Sequence, residues 1–276
     1  MPESIAVEII AIGNEILIGD VQDTNTHWLC KKITGLGGHV RRGNLLRDDP
    51  QAIANEVRAA LGRGADVVFT TGGLGPTDDD LTLAAVAQGI GVAVQLHAQA
   101  RQMISDRYDE LAARGIVDQG GLNPAREKMA YLPEGAIPLQ NLVGTAPAVL
   151  LKADRTTIVC LPGVPAELKV IFTTSLQPFL RDTFGAGVFV ERAVAAGCND
   201  ESLLAPVVSR VAAAHPDVYI KSRAKPFGKT MRHKITLSAG GPDRATVEAL
   251  LDDALADLRA GLTAAGMPLH DPANAS

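Results

Sequence analysis

Short apolar runs alternate with stretches where apolar residues recur every three or four places through the first two-thirds of the chain. Val7 to Ile12 is apolar except for Glu8 and predicts a strand ending at Gly13-Asn14-Glu15. A loop carrying Gly19-Asp20 and Asp23-Thr24-Asn25 leads into a helix with Trp28, Leu29, Ile33 and Leu36 on one face, ended by Gly37-Gly38. His39 to Leu46 reads as a second strand. Asp49 then caps a helix with Pro50 at its first position and Ile53, Val57 and Leu61 every fourth residue. Asp66-Val67-Val68-Phe69 reads as a third, buried strand, and Leu81 to Ala87 as the next helix. Three successive strand–helix units imply a mostly parallel sheet covered on both faces, an α/β fold.

The pattern then loosens. Residues 97–114 predict a longer, charged surface helix. A Gly/Pro-rich region follows, with Gly120-Gly121, Pro124, Pro133-Glu134-Gly135 and Gly144-Thr145-Ala146-Pro147. Thr156 to Leu161 is another apolar strand, turning at Pro162-Gly163-Val164-Pro165 into a helix over 166–184. Gly185-Ala186-Gly187 is the best boundary, separating a domain over 1–184 from a smaller one over 188–262. The smaller domain reads as strands 188–195, 217–222 and 231–238 with helices 200–214 and 243–262, an α+β arrangement. Residues 263–276 are expected to be disordered.

Composition narrows the partners. The 276 residues accommodate a large domain and a small one, and 46% hydrophobic with 21% charged residues is ordinary for a soluble protein. A net charge of −5 advertises no nucleic-acid surface. The stretch with Lys221, Arg223, Lys225, Lys229, Arg232, His233 and Lys234 is locally basic, and reads as a solvated hairpin or as a ligand-binding one. Cys30, Cys160 and Cys198 fit neither a disulfide framework nor a zinc site, and are expected as free thiols. The start of the chain lacks the features of a signal peptide, and no apolar run approaches membrane-spanning length, so a cytoplasmic protein away from membranes is expected.

The densest chemistry lies in Thr70-Thr71-Gly72-Gly73-Leu74-Gly75-Pro76-Thr77-Asp78-Asp79-Asp80. Three glycines in four residues let backbone approach a ligand and free N–H groups for anions, and the following helix points its positive end at the same place. An ordinary turn with Asp80 as a helix cap is the competing reading. No Gly-Lys-Ser/Thr follows, so this is not a Walker loop, and Asp78 stands where a dinucleotide fingerprint needs its third glycine. Three consecutive carboxylates, however, call for a cation, solvent or hydrogen bonds.

Further polar loops carry Arg47-Asp48-Asp49, Asn141-Leu142-Val143-Gly144-Thr145-Ala146-Pro147 and Leu161-Pro162-Gly163-Val164-Pro165-Ala166-Glu167-Leu168. In this order the motifs resemble the molybdopterin-binding-like domain of CinA-type (competence/damage-inducible) proteins and, more distantly, the MogA/MoeA enzymes. The resemblance covers residues 5–184, and the later domain resembles the KH-like second domain of CinA-type proteins. It implies a three-layer molybdopterin-binding-like domain plus a small KH-like α+β domain. It also implies metal-dependent hydrolysis of a nucleotide pyrophosphate, since CinA-type N-terminal domains are associated with ADP-ribose pyrophosphatase activity and related eukaryotic domains with FAD hydrolysis. The alternatives are a non-catalytic molybdopterin- or nucleotide-binding module, or an adenylyltransferase acting on molybdopterin as in MogA-like enzymes. CinA-type chains commonly continue into an amidase domain, and no amidase activity is expected here.

Roles follow from the same resemblance. Asp80 and Asp48 are the expected catalytic acids and ligands of a divalent metal, Mg²⁺ foremost with Mn²⁺ or Co²⁺ as options; helix capping is the alternative for both. Asp79 assists Asp80 or is simply solvated. Gly72, Gly73 and Gly75 would offer amides to phosphate, with hydroxyls from Thr71 and Thr77 and positive charge from Lys128. Gly144 and Thr145 would line the nucleotide pocket, and Pro162 and Gly163 its opposite wall. Glu15 would orient a water or hold a cation, or belong to its loop, and Asn25 would support the site or cap its helix. A homodimer is expected by analogy. RNA is not expected, because the relevant loop has no Gly-x-x-Gly clamp.

Overall fold

β1 (Ala6–Ile12) is buried at every one of its positions, as befits an apolar strand in the middle of a parallel sheet. The computed structural model describes residues 5–185, 187–198, 200–227, 230–241, 243–267 and 269–270. Contacts divide the chain into two compact units, Met1–Ile33 with Gly38–Thr183, and Thr34–Gly37 with Phe184–Ser276. After β1 come the single-turn α1 (Asn14–Leu17), α2 (Thr24–Gly35), β2 (His39–Leu46), α3 (Pro50–Gly62), β3 (Val67–Thr71) and α4 (Thr82–Ile90). Then follow β4 (Val94–Leu96), α5 (Ala98–Ala113), α6 (Pro124–Lys128), β5 (Tyr131–Pro133), β6 (Ile137–Leu139), β7 (Ala148–Ala153), β8 (Thr156–Leu161), α7 (Pro165–Thr173) and α8 (Gln177–Phe184).

The main sheet runs β2-β1-β3-β8-β7-β6, with the first four strands parallel and β7 and β6 antiparallel. The mixed α/β class read from the sequence is what the chain forms. On one face Ile10, Ile12 and Val68 pack with Ile53 and Val57 of α3 and with Ala85 and Val86 of α4. On the other, Phe172 of α7 meets Trp28 of α2 edge-on at 5.1 Å and Phe69 of β3 at 6.3 Å. Each fully buried side chain of this size stabilises by about 1.5–3 kcal/mol over exposure, so two-sided burial, more than helix propensity, holds the layers.

Several local expectations are corrected. The helix expected over 166–184 is two helices, because Pro178 has no N–H to offer the preceding turn and α8 starts afresh around it. The Gly/Pro-rich region contains α6, β5 and β6, and β7 extends the sheet where no strand was expected. β7 is a strand through its pairing with β8 across a tight turn in which Asp154 takes a φ of 51°. Neither that pairing nor the edge it completes leaves a periodic trace in the sequence.

In the second unit β9 (Val188–Ala196), α9 (Glu201–Ala214), β10 (Tyr219–Phe227), β11 (Thr230–Gly241), α10 (Arg244–Ala264) and β12 (Leu269–His270) form an antiparallel sheet of order β10-β11-β9-β12. Its core joins Ile235 and Leu237 to Leu204, Val211, Leu251 and Leu258 of the two helices. The disordered tail expected from residue 263 is corrected in its first part. Helix α10 runs to Ala264, and Met267 and Leu269 pack on the core, which lets 269–270 pair with β9. The remaining residues, 271–276, lie outside the described ones.

Both helices of this unit start on an aspartate. Asp200 accepts from the Ser202 N–H at 2.8 Å; Asp243 accepts from the Thr246 N–H at 2.9 Å and the Thr246 hydroxyl at 2.7 Å. The Thr246 N–H, followed by its hydroxyl, holds the Asp243 carboxyl below the usual carboxylate range. A depressed carboxyl stabilises above its unfolded value, and that contribution is lost as pH falls through the folded one. Asp243→Ala is therefore expected to lower the thermal midpoint at pH 7, followed by circular dichroism. The gap to the parent should close below a pH of about 4; a gap unchanged at acid pH would contradict the charged cap.

Candidate functional site

Four parallel strands end in one row. Across the sheet Ala11 stands opposite Leu45 and Thr71, and Thr71 opposite Leu161, so the loops beginning at Gly13, Arg47, Gly72 and Pro162 share one rim. β7 is antiparallel, and its starting residue Ala148 lies at this same end, which brings the 141–147 loop to the rim as well. Ligands of open α/β sheets bind at the carboxyl ends of the strands.

The glycine turn from Gly72 to Asp80 is tightly determined. Gly72 adopts a φ of 99°, and a Cβ there would run into the carbonyl oxygen of Ile12. Its N–H donates to Leu161 O at 3.0 Å and its carbonyl accepts from the buried Thr82 hydroxyl at 2.8 Å. The Gly72 amide is thus spent on β8, which corrects its expected role as a phosphate donor. The N–H groups of Gly73 and Gly75 make no hydrogen bond to a described residue. Gly75 lies against Asp80, whose Oδ2 would sit 2.6 Å from an added Cβ. Thr71 is buried as the last residue of β3.

The acids are arranged unequally. Asp80 Oδ2 accepts from both the N–H (2.9 Å) and the hydroxyl (2.5 Å) of Thr77, closing the turn on itself. Asp79 is exposed, and the Thr77 hydroxyl, its own backbone N–H and the Lys128 charge hold its carboxyl below the usual range. Lys128, at the end of α6, donates to the carbonyl of Thr77 and so sits beside these acids. Helix α4 takes its cap at Leu81 with no side-chain bond, so capping does not account for Asp80. Asp48 instead accepts from the Asn14 N–H at 2.8 Å, joining the end of β2 to the start of α1, while the neighbouring Asp49 caps α3 through the N–H groups of Gln51 and Ala52. The structure gives Asp48 and Asp80 separate partners. Among the described residues no group of three or more His, Cys, Asp or Glu is placed to hold a metal.

Around this turn the rim is shaped by Asn141 and Glu167, which lie in the quoted motifs but were given no role, and by Arg107 and Tyr108, which the sequence did not single out. Buried Asn141 accepts from the N–H groups of Val143 (3.1 Å) and Gly144 (2.8 Å), and donates to Ala146 O at 2.9 Å and to Glu167 at 2.6 Å. An added Cβ on Gly144 would overlap the Glu167 carboxylate, which would have to swing away from Asn141. From α5, Arg107 donates to the carbonyls of Val143 (2.6 Å) and Gly144 (3.0 Å), and the Tyr108 hydroxyl lies 3.4 Å from that of Thr145. Arg107 and Tyr108 sit in an ordinary charged helix face, and nothing in their spacing marks them. Across the rim, Asn25 is buried and donates to Gly163 O at 2.7 Å, while Asp23 caps α2 through the Thr26 N–H. Asn25 thus braces the Gly163 loop and is not the cap. Pro162 is buried and Gly163 exposed, 3.4 Å from Gly72 as measured to an added Cβ. Exposed Glu15 folds its carboxylate back over Gly13. Cys160, buried within β8, is inert: burial pushes its thiol up to about 11.

No helix among the described residues is long and apolar enough to cross a membrane. Residues 8–182 match the family model described as "Probable molybdopterin binding domain". A protein of Pyrobaculum arsenaticum is 40% identical over 86% of this chain and 88% of its own length, and one of Aeropyrum pernix is 41% identical over 94% of each. The solved structure of "the protein CinA with unknown function" from Thermoplasma acidophilum is 34% identical, covers 63% of this chain and 98% of its own, and superposes with a TM-score of 0.57. The rim, the mixed sheet around it and these similarities agree: the chain belongs to the molybdopterin-binding domain family, in its CinA-type form.

Proposed function

We propose that the rim of the first unit binds the phosphate groups of a nucleotide or pterin and, with a divalent cation, hydrolyses a nucleotide pyrophosphate such as ADP-ribose or FAD. One observation carries this reading: unspent amides at Gly73 and Gly75 lie in the same turn as the Asp79–Asp80 pair and Lys128. The amides and Lys128 suit anionic oxygens; the carboxylates would repel them unless a cation intervenes. Asp80 would hold the cation through its second oxygen, and Asp48 has likewise committed only one oxygen. Two carboxylates suffice when substrate phosphates and water complete the coordination. The cation would supply Lewis-acid neutralisation of the phosphate charge.

The chain's own residues have distinct tasks. Gly73 and Gly75 donate to charge that develops on phosphate oxygens, an effect strongest where the donors are fixed beforehand. The Asn141–Glu167–Arg107 network holds the 141–147 loop so that Gly144 and Thr145 face the ligand. Lys128 balances the acids, and Glu15 orients water. By analogy with its relatives the protein would work as a homodimer, in the cytoplasm.

A second reading, retention of a pterin or nucleotide without turnover, is favoured by the Asp48–Asn14 bond, which ties that acid to the fold. Incubation with ADP-ribose, FAD, or ATP plus molybdopterin, each with Mg²⁺, Mn²⁺ or Co²⁺, separates the cases. AMP release without a pterin is expected. An adenylylated pterin would mean transfer, and retention without products would mean binding alone. Asp80→Asn keeps an oxygen for Thr77 but loses the charge, so turnover should fall about 100-fold or more. The thermal midpoint read by Trp28 fluorescence should barely move; a large fall in midpoint with normal turnover would make Asp80 purely structural.

A further inference from the structure

The helices α9 and α10 cover one face of the second unit's sheet, through Ile235 and Leu237. The residues between them point the other way. Tyr219, Lys221 and Arg223 of β10 stand opposite Ser238, Thr236 and Lys234 of β11, and with Glu191 of β9 they line a concavity of about 170 Å³. Arg223 and Lys234 are directly paired across the strands, an arrangement of like charges that costs stability when nothing anionic lies between them. The ion pairs of this unit among the described residues are Arg192–Asp252, His215–Asp257 and Arg244–Glu248, and none includes these three cations. The one acid of the concavity, Glu191, is opposite Ser238, at the far end from the Arg223–Lys234 pair. In a chain of net charge −5 this is a local concentration of positive charge.

We infer that this sheet face binds single-stranded nucleic acid, with Lys221, Arg223 and Lys234 on successive phosphates and Tyr219 stacked on a base. Lys221 and Arg223 are two residues apart on one strand, so their side chains leave the sheet about 6.8 Å apart, comparable to neighbouring phosphates on an extended strand. Tyr219 is 63% exposed, beside the hydroxyls of Thr236 and Ser238. An exposed aromatic ring in line with cations is what sequence-tolerant single-strand binding uses. This inference is independent of the rim in the first unit.

The test is fluorescence anisotropy of the full-length protein with labelled single strands of RNA and DNA of about 12 nucleotides. Binding is expected at low salt and should weaken about 20-fold between about 50 and 200 mM, as neutralising three phosphates requires. The triple variant Lys221→Gln/Arg223→Gln/Lys234→Gln should abolish it with unchanged circular dichroism. Tyr219→Ala should weaken binding about five-fold or more, while Tyr219→Phe retains it. Glu191→Gln should tighten it, and Asp80→Asn should leave it unchanged. No binding at low salt, binding that survives the triple substitution, or competition by AMP as effective as by the strand would each overturn the inference; the last would mark a mononucleotide site. If Asp80→Asn abolished strand binding, the ligand would belong to the rim.

Discussion

Gly72→Ala is expected to destabilise the first unit by about 3 kcal/mol or more and to remove ligand binding at the rim. Two costs add. The residue sits at a φ of 99°, where a side chain is strained by roughly 1–2 kcal/mol. The new methyl would also meet the backbone oxygen of Ile12, which belongs to the central strand and cannot swing aside. Overpacking of this kind costs about 1–3 kcal/mol. Relief requires moving the start of the glycine turn away from β1, which breaks the Gly72–Leu161 bond and displaces the Gly73 and Gly75 amides. Trp28 is the chain's single tryptophan and lies in the first unit, so its fluorescence in urea reads this unit alone. A variant with the parent's midpoint would show that the turn tolerates a side chain, and the close approach to β1 would then be unimportant.

Arg63→Met is expected to cost about 3 kcal/mol, at the opposite end of the sheet and with no effect on rim chemistry beyond stability. Glu8 is the one charged residue in the buried β1, its side chain only 4% exposed. Arg63, after α3, donates to both of its oxygens at 2.6–3.2 Å and also to Glu56. The Glu8 bonds, foremost, raise the guanidinium above its ordinary value. Removing Arg63 leaves a carboxylate in the sheet without its counter-charge. The cost falls at the low end of the range for buried pairs because Arg63 itself is 31% exposed and water follows it in. Glu8→Gln in the same background should recover part of the loss in Trp28-monitored unfolding. If the double variant were no more stable than Arg63→Met, lost packing of the arginine stem would explain the effect better than charge.

Glu8 and Gly72 also show where reading the chain succeeds. The apolar run around Glu8, the helix periodicities after it and the repeated strand–helix order identify the parallel half of the sheet, because burial on two faces demands continuous apolar strands. The glycine turn is equally visible, since positive φ and close approach can be met only by glycine. β7 and β6 were not visible: an antiparallel edge forms through its partner, and the short apolar run of Ala148 to Leu151 fits a buried helix segment as well as a strand.

The candidate site divides in the same way. Residue types and their order put Asp80, Thr77, Gly73 and Gly75 together, since they lie within one turn and local geometry is set by local sequence. Which amides are spent, which acid is tied to Asn14, and how Arg107, Tyr108, Asn141 and Glu167 grip the loop beside them was decided by tertiary packing. Those partners are 26–37 residues apart in the chain, and separations of that length carry no periodicity. By itself the sequence determined the α/β class, the order of the elements and the chemistry available at the rim. Folding alone decided which of those groups face outward with hydrogen-bonding capacity to spare, because a donor's availability depends on every neighbour the fold brings to it.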